Sequence, residues 1–141
     1  MVVDYNKDPY TALREALGPN AIENSDACDD KATHITSFKD PILNRNVFLY
    51  TLHFHNGYFD GDRCRGDYSR QRCESSVQDG APAWMHGSKG MTFTFAWKIY
   101  LDPDFRVSNK FCHLHQIKLE QDGKFPGTPN LTLTARSDVQ L

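Results

Sequence analysis

Residues 91 to 101 read Met-Thr-Phe-Thr-Phe-Ala-Trp-Lys-Ile-Tyr-Leu, with a large apolar side chain at every odd position. Successive side chains on an extended backbone point to opposite sides, so strict period-two alternation is the mark of a strand with one buried face. Met91, Phe93, Phe95, Trp97, Ile99 and Leu101 are expected to face a core, with Phe93, Phe95 and Trp97 buried between sheets. Thr92, Thr94, Lys98 and Tyr100 are expected to face outward.

Four further segments follow the same rule. In "VFLYTLHFH" (47–55), Phe48, Tyr50, Leu52 and Phe54 share one face, and Thr51, His53 and His55 the other. In 68–75, Arg70, Arg72 and Glu74 lie opposite Ser69, Gln71 and Cys73. In 111–119, Phe111, His113, His115, Ile117 and Leu119 are expected opposite Cys112, Leu114, Gln116 and Lys118. "LTLTAR" (131–136) is the last. Clusters of Gly, Pro, Asn and Asp at 56–67, 79–90, 102–110 and 122–130 separate these segments as turns and loops. Before them, "DPYTALREALG" (8–18) reads as a helix: Asp8 caps, Pro9 suits the first turn, Leu13, Ala16 and Leu17 form a stripe, and Gly18 ends it. The pattern predicts an all-β chain with a short N-terminal helix, a β-jelly-roll or concanavalin-A-like sandwich forming one domain over 1–141.

Charge and length narrow the function classes. The 16 basic and 18 acidic residues among 141 are dispersed, and no basic run exists to follow a phosphate backbone, which argues against nucleic acid. No apolar stretch has the length of a membrane span, and "MVVDYNKDPY" lacks the basic start and apolar core of a signal peptide. Cys28, Cys64, Cys73 and Cys112 suit up to two disulfides in an oxidising compartment, although their spacing contains no C-x-x-C pair. Cys64, Cys73, His113 and His115 do not have the spacing of a compact zinc site, and Cys64 interrupts the acidic "DGDRCRGD" where a calcium loop needs oxygen. No metal or cofactor is expected.

The polar faces carry the chemistry. His53 with His55, Arg70 with Arg72 and Glu74, and Gln116 with Lys118 would make a patch of imidazoles, cations and amides if their strands were neighbours. Such a patch suits a polymeric carboxylate. Each group also has a plainer reading. Arg70 and Arg72 suit a solvated face paired with Glu74, His53 and His55 suit exposed alternates at a strand end, and His113 and His115 suit hydrogen-bonding histidines of an apolar face.

Taken in order, "VFLYTLHFH", "DGDR", "SRQRCES", "FTFAWKIYLDPDFRVSNKFCHLHQIK" and "PNLTLTAR" resemble the β-jelly-roll polysaccharide lyases, most closely the fungal glucuronan lyase family, polysaccharide lyase family 20. The resemblance covers about residues 45–141. Its members carry a D-R-Q-R-N-E-like strand, a W-x-F-x-L-D strand and an H-x-H-Q-[IL]-K strand in this order. Here Ser69 replaces the aspartate and "CESS" replaces Asn-Glu-Ile-Lys. The family also draws a catalytic tyrosine from a later strand, so the chain is expected to lack C-terminal strands and to be an incomplete domain.

The resemblance implies β-elimination on a glucuronan-like uronic-acid polymer. The C5 proton is acidic enough to remove only when the neighbouring carboxylate is neutralised, and Arg72 with Gln116 would do this. His53 would be the base at C5. His55, Arg70, Glu74 and Lys118 would bind flanking sugars or orient an arginine. The implied protein is a secreted, extracellular monomer whose partner is an acidic polysaccharide, with neither nucleic acid nor membrane involved. A second class, a non-catalytic lectin-like carbohydrate-binding β-sandwich, uses the same cationic face without proton transfer.

Overall fold

Asp8 opens the helix as its sequence requires. Its Oδ2 accepts from the Thr11 N–H and hydroxyl, both at 2.9 Å, and Pro9 occupies the first turn, where no amide hydrogen is needed. The resulting helix, α1 (Pro9–Leu17), buries Pro9, Ala12 and Leu13, while Ala16 and Leu17 are half-buried. Gly18 ends it with φ +109° and donates its N–H to Arg14 O at 2.9 Å.

The computed structural model describes residues 3–24, 33–52, 54–55, 58–59, 72–78, 80–107, 111–119 and 128–136, with backbone alone at 24, 54–55 and 58–59. The chain divides into two compact units, Met1–Thr94 and Phe95–Leu141.

Among the described residues the first unit holds three antiparallel strand pairs: β1 (Ile22–Asn24) with β6 (Cys73–Ser75), β2 (Ile35–Asp40) with β3 (Arg45–Tyr50), and β4 (Phe54–His55) with β5 (Tyr58–Phe59). The β2–β3 hairpin turns over residues 41–44. Asp40 Oδ1 accepts from the Ile42 and Leu43 amides at 2.8 and 2.7 Å, and Asn44 takes the left-handed conformation at φ 49°. β2 has no counterpart among the segments expected from alternation. The single strand expected over 47–55 is broken: β3 ends at Tyr50 and β4 holds only two residues.

Among the described residues, the core of this unit is formed by Ala12, Leu13, Ala21, Ile35 and the fully buried His34. Thr51 N–H donates to His34 O at 2.8 Å, and the His34 ring Nδ1 lies 3.1 Å from Thr51 O, which places the imidazole's polar edge on backbone. The Tyr10 hydroxyl of α1 accepts from the amides of His34 and Ile35 at 3.2 and 3.3 Å, joining helix to β2. Tyr50 of β3 and Ser75 of β6 share a hydroxyl hydrogen bond of 2.8 Å that links the β2–β3 pair to the β1–β6 pair.

The second unit is built on one hairpin-like pair, β7 (Cys112–Ile117) with β8 (Leu131–Ala135). Asn130 closes its end: its N–H donates to Ile117 O at 2.8 Å, and its Oδ1 accepts from the Leu119 amide at 2.9 Å. Asp102 and Pro103 begin a turn in which the Phe105 amide donates to Asp102 O at 2.8 Å.

The segment 91–101 departs from expectation. It pairs with no strand among the described residues, and Phe95 and Trp97 are 54% and 50% exposed, with Phe93 and Leu101 only half-buried. Alternation creates an apolar face, but a strand also needs a ladder partner for its amides and carbonyls, and side-chain pattern does not supply one. Short antiparallel two-stranded sheets with one short helix place the chain in a small all-β class.

Candidate functional site

Of the residues expected to carry chemistry, Arg72 and Glu74 belong to the first unit and Gln116 and Lys118 to the second. His53 and Arg70 lie outside the described residues, and His55 is described only as backbone in β4.

Arg72 immediately precedes β6, and its surroundings follow from strand register. Glu23 of β1 stands directly opposite Glu74 of β6. Two carboxylates facing each other repel, and the Arg72 guanidinium stands between them, with Nη1 2.7 Å from Glu23 Oε2 and 3.7 Å from Glu74 Oε2. The arginine side chain is 20% exposed, so this pairing is screened less than one in open water. The other oxygen of Glu23 accepts from the Gln78 amide at 3.0 Å, and that amide also reaches Ser76 Oγ at 2.9 Å. Arg72 and Glu74 share a face, as alternation predicts. The group Arg72 orients most closely toward is Glu23, which the sequence reading leaves out.

Tyr50, whose hydroxyl meets Ser75 beside this cluster, has its phenol pushed above the ordinary range by burial, with the Ser75 hydrogen bond acting in the opposite sense. It is therefore neutral at physiological pH.

The β7–β8 pair contains an irregularity that changes the polar surface. Cys112 pairs with Ala135 and His113 with Thr134, but His115 then pairs with Leu133, leaving Leu114 without an opposite residue. One inserted residue is a β-bulge, and it reverses the phase of the pleat on one strand. Since directly opposed residues share a face, Cys112, His115 and Ile117 lie with Ala135, Leu133 and Leu131, while His113 and Gln116 lie with Thr134 and Thr132. The expected grouping of His113 with His115 and Ile117, and of Cys112 with Gln116, is corrected accordingly.

The contacts agree with this assignment. His113 Nδ1 lies 2.8 Å from Thr134 Oγ1, and its ring packs on Phe111 with centroids 4.6 Å apart. His115 packs on Trp97 at 4.1 Å, with its Nε2 buried and making no hydrogen bond among the described residues. The Cys112 thiol, on the same apolar side, is pushed up by burial. Lys118 is exposed and lies one residue beyond β7.

The polar face thus presents His113 and Gln116 with the hydroxyl-bearing Thr132 and Thr134, and Lys118 follows just beyond the strand. An amide and an ammonium suit a carboxylate, hydroxyls suit sugar oxygens, and an imidazole moves protons. His113 is the functional candidate that sequence reasoning misses here. Its signal is the three-residue step from His113 to Gln116, where an unbroken polar face would step by two. No cluster of three metal-ligating side chains occurs among the described residues.

Comparison of the chain with protein-family profiles, curated proteins and solved structures returns no match.

Proposed function

We propose that the protein is a polysaccharide lyase of jelly-roll type that cleaves a uronic-acid polymer, glucuronan-like, by β-elimination outside the cell. The observation that supports this reading is the polar face of β7–β8, on which Gln116 and His113 stand together with Thr132 and Thr134, with the exposed Lys118 one residue beyond the strand. Gln116 and Lys118 engage the carboxylate at the reacting sugar or its neighbour, where donors must neutralise charge before C5 can lose its proton. Arg72 enters this reading only through the family resemblance. Its pairing with Glu23 and Glu74 holds the guanidinium in one orientation, and it also favours a second reading, a carbohydrate-binding domain without turnover, because two carboxylates already balance its charge.

Ultraviolet absorbance separates the two readings, since each elimination creates a carbon-carbon double bond conjugated with a carboxylate. The lyase reading expects absorbance to rise when the protein is mixed with glucuronan or alginate. Gln116→Ala is expected to lower kcat/KM by about 10²–10³, the cost of one lost oxyanion donor. Lys118→Ala is expected to act mainly on KM. Salt-sensitive binding with no absorbance change would replace the lyase by the binding domain.

A further inference from the structure

The bulge at Leu114 places an imidazole in a position that alternation denies it. On a regular strand His113 would share the apolar side with Ile117; with the bulge it stands on the side of Gln116, Thr132 and Thr134. Three features of this imidazole bear on proton transfer. It is exposed, so a polymer lying on the sheet reaches it. Its Nδ1 is held by Thr134 Oγ1 at 2.8 Å, and its ring is braced by Phe111, so its orientation is fixed by two neighbours. Among the described residues its Nε2 makes no hydrogen bond, which leaves the outer nitrogen available to a substrate. A ring nitrogen oriented through its partner nitrogen is the usual arrangement of a general base.

The geometry points to His113 as the residue that takes the C5 proton in the elimination proposed above, on which this inference rests. With Thr134 accepting from Nδ1–H, Nε2 carries the lone pair. It removes the proton from C5, and the electron pair of that bond moves toward the carboxyl carbon, where Gln116 and Lys118 stabilise the developing charge. The pair then returns to form the C4–C5 double bond as the C4–O4 bond breaks with its electrons on oxygen. The imidazolium gives its proton to that oxygen and is restored to the neutral form. One C–H and one C–O bond are lost, and one carbon-carbon π bond and one O–H bond are gained. Both transfers occur from the single face on which His113 stands, so the reaction requires a sugar whose C5 hydrogen and O4 lie on the same side.

The test uses the full chain with glucuronan, with polygalacturonate as the sugar whose C5 hydrogen and O4 are opposed. His113→Gln is expected to lower kcat on glucuronan by about 10²–10⁴, the usual contribution of general acid–base catalysis, with KM little changed. The limb of the pH–rate profile that reports the base should disappear in this variant. Thr134→Val keeps the imidazole but removes its anchor, and is expected to lower kcat by less while displacing that limb. Polygalacturonate should not be cleaved. If the parent protein turns glucuronan over and both variants keep its kcat and pH profile, His113 is not the base and the lyase reading stands without it. If the parent protein eliminates neither glucuronan nor alginate, the lyase reading itself fails and the role of His113 falls with it.

Discussion

The hydroxyl of Tyr10 accepts hydrogen bonds from two successive backbone amides, those of His34 at 3.2 Å and Ile35 at 3.3 Å, where both residues are fully buried. A single oxygen on α1 thereby satisfies the start of β2, whose first amides lie beyond the reach of solvent. Tyr10→Phe keeps the ring and removes only the acceptor. Leaving a buried donor unsatisfied costs about 1–3 kcal/mol, so the variant is expected to lower the urea midpoint by a comparable amount without changing the slope. An unchanged midpoint would mean that water replaces the phenol.

Gly18 and Gly90 offer a matched pair. Both have positive φ, +109° and +87°, but a Cβ on Gly18 would stand 2.8 Å from Ala81 N, whereas one on Gly90 meets nothing within 4 Å. Gly90→Ala is expected to cost about 1 kcal/mol, from conformation alone. Gly18→Ala adds a backbone collision and should cost clearly more, about 2–3 kcal/mol, read as the difference between the two melting temperatures. Equal losses would show that residues 80–81 yield to the added methyl.

His115 carries a buried ring nitrogen with no partner among the described residues while its ring packs on Trp97. Phenylalanine preserves the aromatic contact and removes the unsatisfied atom. His115→Phe is therefore expected to be neutral or stabilising by about 1 kcal/mol in thermal unfolding. A substantial loss would reveal a polar contact of Nε2 that the described residues do not include.

The raised phenol of Tyr50 sets an alkaline limit. The folded protein holds this proton more tightly than the unfolded chain, whose tyrosines ionise at about pH 10. Stability from the neutral phenol is complete below that pH and is lost as pH rises through the folded-state value. The Cys112 thiol, raised by burial, and the Lys7 ammonium, raised by its 2.7 Å hydrogen bond to Glu15, act in the same direction. Tyr50→Phe should flatten the decline of the urea midpoint above about pH 10 without abolishing it. An identical decline in the variant would remove Tyr50 from the cause.

Local signals were the ones the sequence made legible. Asp8, Pro9 and Gly18 mark α1 because caps act over three or four residues, and their hydrogen bonds are where the reading puts them. Arg72 and Glu74 share a face because two residues of a regular strand always do. The strand expected over 91–101 finds no ladder partner among the described residues, and a partner is what pattern cannot encode. β2 escaped notice although Asp40, Pro41 and Asn44 spell a turn, because "ITSFKD" mixes its faces and leaves only Ile35 fully buried. In the candidate site, Gln116 and Lys118 were readable from alternation. His113 was not, because its face depends on Leu114 having no opposite residue on β8.

The Glu23–Arg72–Glu74 bracket also decides how β1 and β6 meet. A three-residue pair has too few side chains for hydrophobic pattern alone to forbid a slip along the strand. Sliding β6 by one residue would set Glu23 against Cys73 or Ser75 and carry Glu74 to the opposite side of the sheet from it, so that one guanidinium no longer spans both acids. Against a one-residue slip, the observed alignment alone lets a single cation bridge the two like charges. Repulsion between the two glutamates, harmful on its own, thus becomes the means by which this short sheet rejects its misaligned alternatives.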